Sequence, residues 1–148
     1  MSVTREQFIA VVRSFDGTPY RHLGRSHLGT DCIGVLICAG WETGLIDRTV
    51  DWRNYTQNVA DYTLVEEIEA SGYLTRLRSW TDAREGDVLL QKFHSRLPAS
   101  HVLIVTKFDG SYWTALHASR ASRRVEDVRV AHPERCFAAY RMKGVGDG

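Results

Sequence analysis

In Gly29-Thr30-Asp31-Cys32-Ile33-Gly34-Val35-Leu36, a cysteine directly precedes the longest apolar run of the chain, Ile33 to Trp41. Thr30 or Asp31 can cap a helix at that point, and the run is long enough to be the helix. Cys32 then falls in the first helical turn, where unpaired N–H groups and the helix dipole favour an anion. This placement predicts a thiol with a lowered pKa, and the thiolate is the reactive form. Downstream, His101 and His117 each lie in a strand-like segment and are the candidates for a base and for the group that orients it. A cysteine followed by distant histidines is a pattern of nucleophilic thiol chemistry.

Outward from this stretch, the 148 residues suit one domain around a single core. Composition is that of an ordinary globular protein, 43% apolar and 25% charged. A formal net charge of +1 makes no case for nucleic-acid or anionic-membrane binding. Ile33–Trp41 is too short to span a bilayer. The three cysteines form no CxxC pair and show no disulfide-like spacing, so a reduced state is expected. Met1-Ser2-Val3-Thr4-Arg5-Glu6 lacks the basic and apolar regions of a secretory signal, which reads as synthesis and retention in the cytosol unless something else exports the chain.

Thr4-Arg5-Glu6-Gln7 fits a capping box, and Phe8, Val11, Val12 and Phe15 follow at helical spacing, predicting a helix over 4–15. Gly17 to Asp31 reads as a Gly-, His- and Arg-rich loop, and the second helix as 32–42, stopping at Gly44. Residues 45–62, with Trp52, Tyr55 and Tyr62, read as an irregular, substrate-facing insertion. Thr63-Leu64-Val65-Glu66 is a second capping box, opening a short helix that ends at Gly72. Beyond it come strand-like runs at 87–90, 101–108, 111–118, 123–130 and 137–142. Helices first and strands second predict an α+β domain, a helical layer against an antiparallel sheet. A single domain is expected over residues 1–143, with 144–148 as a flexible tail.

Phe108-Asp109-Gly110-Ser111 is the best local turn signal. A two-residue Asp-Gly loop pairs Phe108 with Ser111 and sends His101 and His117 to opposite faces of the sheet. A three-residue loop with Gly110 left-handed pairs Lys107 with Ser111 and sets His101 opposite His117, with Cβ atoms roughly 4.5–5.5 Å apart. Both registers are compatible with the sequence; a catalytic pair requires the two histidines on one face.

Other candidates are weaker. Cys38 lies inside the apolar run and Cys136 precedes Phe137, so both read as packing. His94 is a rival base in a polar loop. His22 and His27 have neither helical nor zinc-ribbon spacing to make a metal site with Cys32. His132 precedes Pro133 and reads as a turn residue. Asn54-Tyr55-Thr56 matches a glycosylation acceptor that has no secretory context.

Taken together, Gly17-Thr18-Pro19-Tyr20-Arg21, Asp31-Cys32-Ile33-Gly34-Val35-Leu36, Glu85-Gly86-Asp87-Val88-Leu89-Leu90, Ser100-His101-Val102-Leu103-Ile104-Val105 and Leu116-His117-Ala118 occur in one order over nearly the whole chain. In this the sequence resembles the NlpC/P60 family of papain-like cysteine peptidases, and within it the phage-tail-associated branch. The resemblance implies the papain-like NlpC/P60 fold, with N-terminal helices packed on a C-terminal antiparallel β-sheet. It implies hydrolysis of peptidoglycan stem peptides, commonly between D-glutamate and the diamino acid, by Cys32, His101 and His117. It places Tyr20 and Asp31 beside the cysteine as oxyanion and substrate contacts, and requires no metal or cofactor. Ile33 stands where many members have a serine that helps hold the substrate's free amine, which puts amine-anchored specificity in question. No cell-wall-binding repeat is present, so targeting falls to a partner such as a phage-tail assembly. The rival readings are a thiol amidase or acyltransferase on another acyl substrate, which needs a wide apolar groove, and a non-catalytic tail module. The latter is favoured by a buried Cys32 or by histidines on opposite sheet faces.

Overall fold

A computed structural model describes residues 3–53, 55, 64–92, 96 and 101–146. Among them the chain forms helices α1 (Arg5–Arg13), α2 (Cys32–Thr43) and α3 (Leu64–Ser71). The strands are β1 (Val3–Thr4), β2 (Arg25–Ser26), β3 (Gly29–Thr30), β4 (Leu74–Arg76), β5 (Val88–Gln91), β6 (His101–Phe108), β7 (Trp113–Ser119), β8 (Arg124–Arg129), β9 (Cys136–Met142) and β10 (Val145–Gly146). A six-stranded sheet has the order β4-β9-β5-β6-β7-β8 with every pairing antiparallel. The architecture is therefore the expected α+β one, helices against an antiparallel sheet.

Capping sets the helix starts. Thr4 accepts from the Gln7 N–H at 3.0 Å while the Gln7 side chain accepts from the Thr4 N–H at 2.9 Å, the reciprocal box expected from the sequence. Helix α2 ends at Gly44, whose φ of +77° is the left-handed conformation that glycine adopts without strain. Between these ends α2 buries Ile33 through Gly40, so it is a central core helix rather than an amphipathic surface one. With Phe8, Val12 and Phe15 of the first helical segment, it packs on Val102, Ile104, Leu116 and Ala118 of the sheet. Leu103, Val105 and Ala115 point into a second, smaller cluster, as strand alternation requires.

Close approach of the loop before α2 depends on Gly34. A Cβ there would stand 2.1 Å from Thr30 Oγ1 and 2.3 Å from the Gly24 carbonyl oxygen. Glycine at this position lets β2 and β3 lie against the first turn of the helix. The Gly17–Arg21 segment is pinned on both sides, Val125 N donating to Thr18 O at 2.7 Å and Arg21 N to Thr30 O at 2.9 Å. Glu85-Gly86-Asp87 is a clasp for the sheet: Asp87 is fully buried and takes a two-bond contact from Arg141 at 2.9 and 2.8 Å.

Differences from the sequence reading lie at the turns and ends. Val145 and Gly146 pair in parallel with Val3 and Thr4, in the segment expected to be a tail. The hairpin adopts neither loop length considered from sequence. Phe108 pairs with Trp113, and residues 109–112 form the turn, with Asp109 Oδ1 accepting from Ser111 N at 2.8 Å and Tyr112 N at 2.7 Å. A bulge between Val105 and Lys107 then shifts the ladder to Ile104↔Leu116. Continued outward, that register sets His101 across from Ser119, so the two histidines are diagonal neighbours on one face. Thr63, Tyr62, His94, Asn54 and Thr56 lie outside the described residues. No helix is long and apolar enough to cross a membrane.

Candidate active site

Asp31 is the N-cap of α2, its Oδ1 accepting from Gly34 N at 2.8 Å, and this sets Cys32 at the first helical position. The same carboxylate collects further donors: Arg25 Nη1 at 3.0 Å on Oδ1, and on Oδ2 the Leu23 N–H at 2.8 Å and the Tyr55 hydroxyl at 2.5 Å. Leu23 holds a φ of +60° to aim that N–H, a conformation that side-chain-bearing residues adopt at a cost. With about four acceptor positions on a carboxylate and 2% exposure, Asp31 is saturated by the protein. His22 lies 3.9 Å from it and edge-on to the Tyr55 ring.

Arg25 is the counter-charge. Nε donates to Asp51 at 2.8 Å, Nη1 to the Gly24 carbonyl at 2.9 Å as well as to Asp31, and Nη2 to the Trp52 carbonyl at 2.9 Å and Tyr55 Oη at 2.8 Å. All five guanidinium N–H groups are thereby used. Burial and Asp31 hold the Tyr55 phenol well above its ordinary pKa, so it stays a donor to the carboxylate. Arg25 and Tyr55 carry this cluster, yet neither stood out among the candidates. Arg25 falls in a stretch that reads from sequence as a loop without periodicity, although it forms β2, and Tyr55 was read only as part of a substrate-facing insertion.

Cys32 is half-buried. Burial of its thiol, followed by the charge of Asp31, pushes the pKa up to about 12, against hydrogen bonds from the Val102 and Ile33 N–H groups and the charge of Arg25. The lowered pKa expected from the helix terminus is thus corrected. The N–H groups act in the expected direction, but desolvation of the thiolate and the capping carboxylate outweigh them. The Val102 N–H that acts on the thiol belongs to the first residues of β6.

At the start of β6 and within β7, His101 Nε2 and His117 Nδ1 are 2.8 Å apart, with the rings edge-on and centroids 5.0 Å apart. His117 pairs with Glu126 across β7 and β8, and its Nε2 lies 3.4 Å from Glu126 Oε1. Burial, with the neighbouring His117, drops the His101 pKa to about 3. Burial also lowers that of His117, opposed by Glu126. Cys32 and His101 therefore rest as neutral thiol and neutral imidazole. Tyr20 hangs from the pinned 17–21 segment close enough to couple electrostatically to Cys32 and Asp31; burial first, then those charges, push its phenol to about 12, so it remains a proton donor.

Of the sequence candidates, the structure brings together Cys32, Asp31 and Tyr20, and joins His101 to His117. His22 stays at the edge of the Asp31 cluster, while His27, His132, Cys38 and Cys136 are set apart. His27 stacks on Phe15 with centroids 3.8 Å apart and contacts Glu42; His132 contacts Glu134; Cys38 is buried in the main core, and Cys136 accepts from Gln91. Among the described residues, no group of three or more His, Cys, Asp or Glu side chains is placed to hold a metal ion. Glu126 was not singled out from sequence, although the strand that carries it was.

No protein-family model and no curated protein matches the sequence. Solved structures do match. The NlpC/p60 domain of peptidoglycan hydrolase SagA aligns over 95% of this chain and 100% of its own, at 21% identity and a TM-score of 0.62. An NlpC/P60 family protein from Bacillus cereus aligns over 96% of this chain and 41% of its own, at 20% identity and a TM-score of 0.66. Ly7917, solved with the hydrolysing product of MDP, aligns over 94% of this chain and 63% of its own, at 15% identity and a TM-score of 0.61. These likenesses show the fold: helix α2, opening at Cys32, packs on an antiparallel sheet as in the NlpC/P60 domain structures.

Proposed function

We propose that this protein is a cysteine peptidase that hydrolyses peptidoglycan stem peptides, at the bond between D-glutamate and the diamino acid, through Cys32, His101 and His117. The observation that carries this reading is the hydrogen-bonded His101–His117 pair, in a fold whose core helix opens at Cys32. The fold is shared with the NlpC/p60 domain of a peptidoglycan hydrolase and with Ly7917, which is described with the hydrolysing product of MDP. Of the two conditions that favour a non-catalytic module, that of histidines on opposite sheet faces is not met, since His101 and His117 are joined on one face.

In the mechanism, His101 removes the Cys32 proton as sulfur attacks the peptide carbonyl, so that the thiolate exists only as the C–S bond forms. A thiol and an imidazole that are both neutral at rest fit this route. His117 orients His101 and shares the positive charge that develops on it. The Cys32 N–H at the helix start and the Tyr20 hydroxyl stabilise the oxyanion; loss of one such donor typically costs about 3 kcal/mol of transition-state stabilisation. His101 then protonates the departing amine, and water, activated by the same imidazole, hydrolyses the acyl-enzyme. Asp31 serves through its cap and its charge rather than through an open acceptor. Delivery to the wall is assigned to a partner such as a phage-tail protein.

Purified muropeptides, incubated with the protein and read by mass spectrometry, test the reading. Cleavage after D-glutamate is expected, falling by roughly 10³-fold or more in Cys32→Ala. Intact muropeptides with the wild-type protein, or equal cleavage by Cys32→Ala, would overturn it, and turnover of an acyl ester or lipid amide instead would favour the acyltransferase reading.

A further inference from the structure

The two histidines alone do not determine which nitrogen carries which proton. Two neutral imidazoles joined Nε2 to Nδ1 can donate in either direction, and only one direction leaves a lone pair for the thiol. A third group must break the symmetry, and the neighbouring strand supplies one. We infer that Glu126 is a positioning residue that fixes the proton order of the relay, leaving His101 Nδ1 as the base. The assignment rests on the peptidase reading for the reaction it serves, but its geometry is independent of substrate.

Glu126 stands directly opposite His117 in the β7–β8 ladder, where side chains on the same face are neighbours. Its Oε1 is 3.4 Å from His117 Nε2 and also accepts from the Ser122 hydroxyl at 3.1 Å. The Ser122 bond comes from the β7–β8 turn and steadies the carboxylate. An ionised carboxylate only accepts, so His117 carries its proton on Nε2. A neutral His117 then has its lone pair on Nδ1 and accepts from His101 Nε2 at 2.8 Å. With its proton on Nε2, a neutral His101 has its lone pair on Nδ1. Burial lowers the pKa of both imidazoles, which keeps them in the neutral forms this order needs. When His101 takes the thiol proton, the imidazolium it becomes donates to His117, and the Glu126 charge stabilises the pair from behind. Nothing is transferred to Glu126 in this step; the proton stays on His101 until the leaving amine takes it.

The test compares wild type with Glu126→Ala and Glu126→Gln. Ring ¹⁵N shifts of His101 and His117 above pH 7 report the tautomers directly. Wild type is expected to show both histidines protonated on Nε2, and Glu126→Ala to show a mixture or the reversed order. Iodoacetamide alkylation of Cys32 at pH 7 and kcat for muropeptide cleavage are expected to fall by about 10–100-fold in Glu126→Ala, the range seen when outer partners that orient functional histidines are removed. KM should be unchanged. Glu126→Gln, which keeps an acceptor oxygen, should recover part of both rates and of the tautomer order, and it remains readable if the alanine variant folds poorly. Unchanged ¹⁵N signatures in both variants, with alkylation within twofold of wild type, would overturn the assignment. The tautomer and alkylation readouts need no peptide, so they decide it even where muropeptides are not cleaved.

Discussion

The two walls of the candidate site, one on the helix side and one on the sheet, are built on opposite principles. On the helix wall, Asp31, Arg25, Tyr55 and Asp51 form a closed network in which every carboxylate position of Asp31 and every N–H of Arg25 is used. On the sheet wall, His101, His117 and Glu126 form a single file, each linked to the next through one contact. The first arrangement resists change because removing any member strands a buried partner. The second can shift a proton with little movement of heavy atoms. Cys32 belongs to the first wall and His101 to the second, and each wall can be perturbed without dismantling the other.

The sharpest way to break the contrast is Arg25→Ala. It leaves Asp31 buried without its counter-charge, and breaking such a buried pair typically costs about 3–5 kcal/mol. Urea unfolding should show a loss of this size, and an exposed-pair loss below about 1 kcal/mol would mean that the helix wall is not a closed network. Next in size is the pH response of the sheet wall. His101 has its folded pKa depressed to about 3, so between its ordinary value and that point the unfolded chain binds more protons than the folded one. Stability should accordingly fall as pH drops below about 6.5, approaching tenfold in the folding equilibrium per pH unit. His101→Gln should flatten this slope in acid unfolding curves, whereas an unaltered slope would assign it to other groups. The smallest effect is expected outside both walls. Cys38 is 3% exposed in the main core, and Cys38→Ala should cost about 1 kcal/mol while Cys32 alkylation and muropeptide cleavage stay at wild-type rates.

On the helix wall, the ends of α2 were legible in the sequence but the network around its cap was not. A capping residue followed by an unbroken apolar run defines where α2 begins, and the end at Gly44 follows from the same local rules. The histidine strands were legible too, but their register was open between two turn lengths. The structure uses a third, in which the longer turn at 109–112 and the bulge near Thr106 together restore an even offset. Thr106 donates its hydroxyl to Asp127 on β8 at 2.6 Å, a contact invisible to a reading of the hairpin alone. Strand β4 was missed because Leu74–Arg76 is too short to show alternation, and it forms by pairing with β9.

By itself, then, the sequence determined that Cys32 opens a helix, that an antiparallel sheet follows, and that His101 and His117 lie in strands able to meet. Capping and alternation depend on residues within one turn or one strand, so they can be read along the chain. The tertiary structure alone decided that Asp31 is saturated by Arg25, Leu23 and Tyr55, that the Cys32 thiol is raised rather than lowered, and that Glu126 backs His117. Each of these depends on desolvation or on a partner from a distant segment, and burial outweighs the helix terminus only once the walls have closed around the sulfur.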